Sequence, residues 1–114
     1  MVEVGRGEIW QFAFPRGDRR RPVLVLTRQD MIGRLGTVTV APLTTTIRGV
    51  GSEVVVGTDV GLKQPSAINL HHVATVPLSG LRAYVGTVSD EVMRQVRGAL
   101  LFALGFGAPD HRHG

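Results

Sequence analysis

The sequence predicts a mainly β protein, in which a small antiparallel β-barrel of five to six strands is followed by one C-terminal α-helix. Short β-branched runs separated by Gly, Pro and Thr turns fill most of the chain, which is typical of a small barrel. The apolar period changes from two to about 3.6 residues only near the end, which predicts the helix. A length of 114 residues with 43% apolar side chains indicates one domain over residues 1–114, with residues 107–114 as a flexible tail.

The first three strands are predicted from alternation and from β-branched runs. Trp10, Phe12 and Phe14 lie at alternate positions and therefore share one face of the first strand. Pro22 has no N–H group and suits the start of the second strand, and Pro42 ends the third. These strands cover residues 8–14, 22–27 and 37–41.

The remaining strands follow the same signals. A short strand over residues 53–56 is bounded by glycines, a fifth strand covers residues 67–76, and residues 84–85 add a possible sixth.

A helix is predicted at the end of the chain, where apolar residues recur at helical spacing. Ser89 suits the N-cap and Gly105 suits the C-terminal stop. The apolar stripe consists of Val92, Val96, Ala99, Leu100, Ala103 and Leu104.

Composition excludes several classes of protein. The absence of cysteine rules out disulfides, iron–sulfur clusters and thiolate zinc sites. The strongest apolar run, residues 99–104, is too short to span a membrane, and the N-terminus shows no secretory signal. We therefore expect a cytoplasmic protein.

The positive charge is concentrated in the first half of the chain. The net charge is +4, and residues 1–50 carry all of it, with three consecutive arginines at Arg19, Arg20 and Arg21. Such a cluster favours an anionic partner, most simply nucleic acid phosphate. The alternative is that these arginines form a solvated surface without a partner, in a chain that uses arginine in place of lysine.

Histidines provide no predicted metal site. His71 and His72 fall within the predicted fifth strand, where neighbours point to opposite faces and cannot bind one ion together. His111 and His113 lie in the predicted flexible tail. We expect neither a metal ion nor another cofactor.

Two segments remain that can carry chemistry, the RRRP sequence that begins the second strand and the PLTTT sequence that follows the third. Guanidinium and hydroxyl groups at strand ends can bind a phosphate through charge-assisted hydrogen bonds. The alternative is that RRRP is a solvated loop and that PLTTT forms a turn whose hydroxyls cap backbone groups.

The order of these segments resembles the MazF/PemK family of toxin endoribonucleases. The resemblance rests on RGEIW from Arg6, RPVLVL from Arg21 and VAPLT from Val40. It continues with SAIN from Ser66, GTVS from Gly86 and the final Leu-Gly, and it covers nearly the whole chain.

The resemblance implies an SH3-like barrel, a homodimer, and metal-independent cleavage of single-stranded RNA at short sequences, which stops translation and growth. It also implies a cognate antitoxin whose acidic tail occupies the RNA groove. The arginine before the proline and the threonine ending the third strand are the family's catalytic pair, and these positions fall on Arg21 and Thr44.

Other roles are less closely tied to the family pattern. Proton transfer has three candidates, His71, His72 and Asp18, of which the histidines titrate in the suitable pH range. Candidate RNA contacts are Arg16, Arg19, Arg20, Arg48, Thr45 and Asn69.

Two other functions compete with this interpretation. A non-catalytic toxin resembling the CcdB gyrase poisons would bind its target through the C-terminal helix and would not need Arg21 and Thr44. The nearly continuous apolar end of this helix favours burial over binding to a charged target. An RNA-binding barrel without activity would explain the basic half of the chain equally well.

Overall fold

A computed structural model describes residues 3–14 and 19–106 of the chain. It contains an antiparallel sheet of seven strands and one C-terminal helix, which confirms the predicted fold class. In this described part of the chain, no helix is long and apolar enough to cross a membrane. The elements are β1 (Glu8–Ala13), β2 (Arg20–Val25), β3 (Thr37–Thr44), β4 (Glu53–Val56), β5 (Ser66–Asn69), β6 (Ala74–Pro77), β7 (Leu81–Thr87) and α1 (Asp90–Leu104).

The sheet is divided at β3. Its first half, from Thr37 to Val40, pairs with β6, whereas Leu43 and Thr44 pair with β5. The hydrogen-bonded order is β4-β5-β3-β2-β1-β7, with β6 attached to β3 outside this path. The sheet is therefore open, and the predicted closure into a barrel is only loosely correct.

Two apolar clusters form the core because side chains alternate along the central strands. Trp10 and Phe12 of β1 pack with valines of β2, β3 and β6 in one cluster. Ile9 belongs to the other, together with Leu24, Ile68 and residues of α1. The predicted alternation in β1 is thus confirmed, and the central strands are buried on both sides.

Helix α1 begins and ends where the sequence predicts. The Ser89 hydroxyl accepts a hydrogen bond from the Val92 amide, and Gly105 closes the helix with a positive φ of 77°. Of the predicted stripe, Val96 and Ala99 are buried, whereas Leu104 is 59% exposed. The expected burial of Leu104 is wrong because the helix contacts the sheet along only part of its length.

The predicted fifth strand is in fact two strands separated by a turn. β5 ends at Asn69, a 3-10 turn covers Leu70–His72, and β6 begins at Ala74. The side chain of Asn69 accepts a hydrogen bond from the backbone N–H of His71, which stabilises this turn. The chain therefore leaves one edge of β3 and returns to it at a different point.

Candidate functional site

A cavity of about 260 Å³ lies where β2 begins and β3 ends. It is bordered by the strand ends, the loop after β3 and the turn after β5. Its lining residues are Arg21, Pro42, Leu43, Thr44, Thr46, Arg48, Asn69, His71 and His72.

The register of β2 against β3 explains why Arg21 and Thr44 share this cavity. These strands are antiparallel, and Val23 lies opposite Pro42. Continuing the same register by two residues places Arg21 opposite Thr44, and alternation keeps both on one face. Arg21 is exposed and has no ion-pair partner among the described residues.

Thr44 begins a tight turn after β3. Its Oγ1 accepts a hydrogen bond from the Thr46 backbone N–H at 3.1 Å, so the expected capping role of this threonine run is present. Since the oxygen is the acceptor, the hydroxyl hydrogen remains available to a ligand in the cavity.

The loop that carries Arg48 is anchored by Glu53 of β4. The Oε1 atom of Glu53 accepts the backbone N–H groups of Arg48 and Gly49, each at 3.0 Å. The second oxygen, Oε2, is buried and has no hydrogen-bond partner in the part of the chain that the structure describes. This anchor holds an otherwise exposed loop at the rim of the cavity.

Both histidines line the cavity, contrary to the prediction that they point to opposite sheet faces. They lie in the 3-10 turn, and their ring centroids are 4.7 Å apart. Nδ1 of His71 is 2.5 Å from the Ser52 hydroxyl, and Nδ1 of His72 is 3.0 Å from the Asn69 amide nitrogen. Within residues 3–14 and 19–106, no three acidic or histidine side chains form a group that could hold a metal ion.

The other predicted residues are distributed unevenly. Arg19 and Arg20 are exposed at the start of β2 and do not line the cavity, and Thr45 is exposed in the loop beside it. Arg16 and Asp18 lie outside the described residues, as does the whole predicted tail.

Sequence reasoning missed Ser52 and Glu53. Ser52 precedes β4 and Glu53 is its first residue, and neither a buried serine nor a carboxylate that faces backbone amides has a distinctive sequence signal there. The adjacent Ser-Glu pair directly after a glycine was the available hint.

Two further concavities differ from this one in character. The first, of about 900 Å³, is bordered by Glu3 and Glu8, and the Glu8 carboxylate accepts hydrogen bonds from Gly5 and Trp10. Its acidic side chains do not suit a polyanion. The second, of about 490 Å³, is called here the helix groove, and it is lined by Arg6, Leu26, Asp90, Met93, Arg94, Val96, Arg97 and Leu100.

Residues 5–104 match the family model described as PemK-like, MazF-like toxin of type II toxin-antitoxin system. The chain belongs to this family. The match includes every residue that lines the 260 Å³ cavity.

Named relatives agree with the family assignment. A protein of Mycobacterium tuberculosis named endoribonuclease MazF3 is 45% identical over 69 residues, which are 60% of this chain and 67% of the relative.

Solved structures extend the similarity to the fold. The Mycobacterium tuberculosis toxin MazF-mt6 superposes with a TM-score of 0.81 at 34% identity, covering 89% of this chain and 99% of that toxin. An endoribonuclease in complex with its cognate antitoxin, from a mycobacterial species, gives a TM-score of 0.80 at 25% identity, covering 93% and 99% of the two chains.

Proposed function

We propose that this member of the MazF/PemK family is the toxin of a type II toxin–antitoxin pair and acts as a metal-independent endoribonuclease on single-stranded RNA. Family membership and the relatives named endoribonuclease support the class of enzyme. The observation that carries the mechanism is the cavity in which Arg21 and Thr44 meet two histidines.

The proposed reaction is an attack by the ribose 2′-OH on the adjacent phosphorus. The 2′-O–P bond forms, the P–O5′ bond breaks, and the products are a 2′,3′-cyclic phosphate and a 5′-OH end. Since the nucleophile belongs to the substrate, the enzyme has to align the attack, stabilise the additional negative charge and assist two proton transfers.

Arg21 is the proposed charge-stabilising residue. Its planar guanidinium matches the non-bridging oxygens of a phosphate and stays protonated at all relevant pH values. The same permanent charge makes Arg21 unsuitable as a base, so its role is electrostatic.

Thr44 is the proposed second member of the pair. Because its oxygen already accepts the Thr46 N–H, the hydroxyl donates its hydrogen to a non-bridging phosphate oxygen or orients the 2′-OH. A threonine hydroxyl is a weak base, so Thr44 does not remove the proton itself.

Proton transfer is assigned to the histidines. Among the described residues that line the cavity, His71 and His72 carry the side chains suited to accepting and donating a proton, and no lining side chain is a carboxylate. Asp18 lies outside the described residues and enters no step here.

RNA binding is proposed along the basic strand end. Arg48 and Asn69 line the cavity, while Arg19, Arg20 and Thr45 are near it along the chain and exposed. Guanidinium groups in such positions hold the phosphate backbone without reading the base sequence. Arg16 completes the proposed set from outside the described residues.

The proposed partners are a second copy of the chain and an antitoxin. Phe102, Leu104 and Phe106 are more than half exposed, and burial of such side chains favours a homodimer. An antitoxin with an acidic tail would neutralise the arginines of the RNA groove, as the antitoxin complex of the mycobacterial relative suggests. The proposed action is on messenger RNA in the cytoplasm, with arrest of translation and growth.

The test is cleavage of long single-stranded RNA by the purified protein in EDTA, with the ends of the fragments mapped. We expect cuts at a short repeated sequence that leave 5′-OH ends, loss of cutting in Arg21→Ala, and cutting retained in the matched control Arg97→Ala. The absence of cuts by folded protein over varied RNAs would contradict the proposal and favour a binding-only or helix-mediated toxin.

A further inference from the structure

The two histidines of the cavity are adjacent in sequence but have different partners at the same ring atom. Nδ1 of His71 contacts the Ser52 hydroxyl, and Nδ1 of His72 contacts the Asn69 side-chain amide. A hydroxyl and an amide nitrogen differ in what they can donate and accept, so the two rings are not equivalent.

The orientation of the Asn69 amide follows from the hydrogen bond at its oxygen. The His71 backbone N–H can only donate, so the group 3.1 Å away must be Oδ1. The amide nitrogen, Nδ2, then faces Nδ1 of His72 at 3.0 Å. Because that nitrogen can only donate, Nδ1 of His72 accepts, and the neutral ring carries its proton on Nε2.

Ser52 places no such restriction on His71. A hydroxyl donates to an unprotonated Nδ1 or accepts from a protonated one, so it supports both the neutral ring and the cation. The Ser52 residue is buried, and its carbonyl accepts the Leu70 N–H at 2.9 Å, which fixes the hydroxyl beside the turn.

We infer that His71 and His72 have different roles, because Asn69 fixes the proton of neutral His72 on Nε2, whereas Ser52 supports both the neutral and the protonated form of His71. This inference rests on the proposed ribonuclease function. His71, with its proton on Nδ1, accepts the 2′-OH proton at Nε2 as the 2′-O–P bond forms. His72 remains neutral and donates a hydrogen bond from its Nε2–H to a non-bridging oxygen. The departing 5′ oxygen takes a proton from water, which reaches both exposed histidines, and the hydroxide that remains takes up the proton that His71 accepted, so that His71 returns to its neutral form.

The charged groups around the turn do not produce this difference. Arg21 from β2 and Arg48 from the loop after β3 line the cavity with the histidines, and Glu53 lies opposite Asn69 in β4. Helix α1 also packs against the turn, and its buried residues, Val96 and Ala99, are apolar. Arg21 and Arg48 are exposed, so solvent and salt screen their charges. The hydrogen bonds at Nδ1 distinguish the two rings, so Ser52 and Asn69 are positioning residues.

The first experiment measures the tautomers directly and does not depend on activity. Two-bond ¹H–¹⁵N correlation spectra of the purified protein, above the pH range of imidazole protonation, should show His72 protonated at Nε2. In Asn69→Asp the carboxylate still accepts the His71 N–H but replaces the donor at His72 with an acceptor. The His72 proton should therefore move to Nδ1, whereas Ser52→Ala should leave His72 unchanged. A wild-type His72 protonated at Nδ1 would overturn the inference.

The second experiment separates the roles in catalysis. Glutamine keeps a neutral N–H donor but cannot accept and carry a proton as imidazole does. We expect His71→Gln to slow single-turnover cleavage by about a hundredfold or more, and His72→Gln by about tenfold or less. Equal losses in the two variants would overturn the division of roles.

The pH profile completes the test of the positioning residues. The wild-type rate should rise once with increasing pH, because His71 has to be unprotonated at Nε2 to accept the 2′-OH proton. Asn69→Asp should add a fall of the rate at higher pH, because neutral His72 then lacks a proton on Nε2. Ser52→Ala should alter the pH profile and Ser52→Thr should restore it, because threonine keeps the hydroxyl beside Nδ1 of His71. A profile unchanged in Asn69→Asp would contradict the inference. If the folded wild-type protein cuts no RNA, the proposed function fails, and the tautomers are still decided by the spectra.

Discussion

The cavity and the helix groove lie at opposite ends of β2 and both contain arginines. Arg21 is near the first residue of the strand, and Leu26, which follows the last residue, lines the helix groove. In the groove, Arg6, Arg94 and Arg97 are combined with apolar side chains of α1. In the cavity, arginines are combined with two threonine hydroxyls, an amide and two imidazoles.

The difference lies in how the polar groups are held. Arg94 pairs with Glu91 at 2.7 Å, but both side chains are more than 60% exposed. Such a pair contributes little to the free energy of unfolding and does not hold its side chains in a fixed orientation. In the cavity, buried Ser52 and Asn69 orient the histidines, and Glu53 anchors the loop of Arg48. Positive charge is therefore common to both regions, and only the cavity combines it with oriented groups that can transfer a proton.

The largest expected effect concerns the planar geometry of the Arg21 guanidinium group. Arg21→Lys keeps the charge but replaces the planar fork with a point donor, so cleavage should fall by about a hundredfold or more. Arg97→Lys, the matched change in the helix groove, should not alter the rate. Near wild-type turnover in Arg21→Lys would show that net charge is sufficient.

The second expected effect concerns the Thr44 hydroxyl. Thr44→Ala should slow cleavage by roughly ten- to a hundredfold, because a water molecule replaces the hydroxyl only in part. Thr44→Ser keeps the donor and should lose only about threefold. Single-turnover rates check this, and equal losses in the two variants would assign Thr44 to packing rather than to hydrogen bonding.

The third effect compares Glu53, which anchors the loop of Arg48 beside the cavity, with Glu91, which pairs with Arg94 of the helix groove. Glu53→Ala should lower the free energy of unfolding by about 2 kcal/mol, since two backbone N–H groups lose a charged acceptor. Glu91→Ala should change it by less than about 0.5 kcal/mol, as expected for an exposed pair. Urea unfolding measures both, and similar values would mean that Glu53 is no stronger an anchor than Glu91.

The smallest expected effect distinguishes neighbouring arginines. Arg19 lies two residues before Arg21 and should share its face, whereas Arg20 should point to the other face. Arg19→Ala should reduce the salt dependence of RNA binding by about one phosphate contact, and Arg20→Ala by less. Binding titrations at several salt concentrations would contradict this if the two slopes were equal.

Local patterns predicted most of the secondary structure correctly. The Ser89 cap and the Gly105 stop of α1 are sequence-local signals, and the structure confirms both. The predicted fifth strand was wrong at His71 and His72, because apolar and polar residues in that segment fit a strand locally. In the structure the Asn69 side chain accepts the His71 N–H, and a 3-10 turn over Leu70–His72 separates the two strands.

The site was predicted in part. The sequence identified Arg21 and Thr44 as strand-end residues, and the β2–β3 register brings them to one cavity. The contribution of Ser52 and Glu53 could not be predicted, because each acts through a partner that a distant turn or loop supplies.

The sequence by itself determined the fold class, the terminal helix, the basic character of the first half and the family resemblance. These properties depend on periodicity, caps, charge and short motifs, which are local along the chain. Only the tertiary structure decided that the sheet stays open, that His71 and His72 face one cavity, and that each has a different partner at Nδ1. Strand register and long-range side-chain hydrogen bonds join residues far apart in the chain, and no local pattern specifies them.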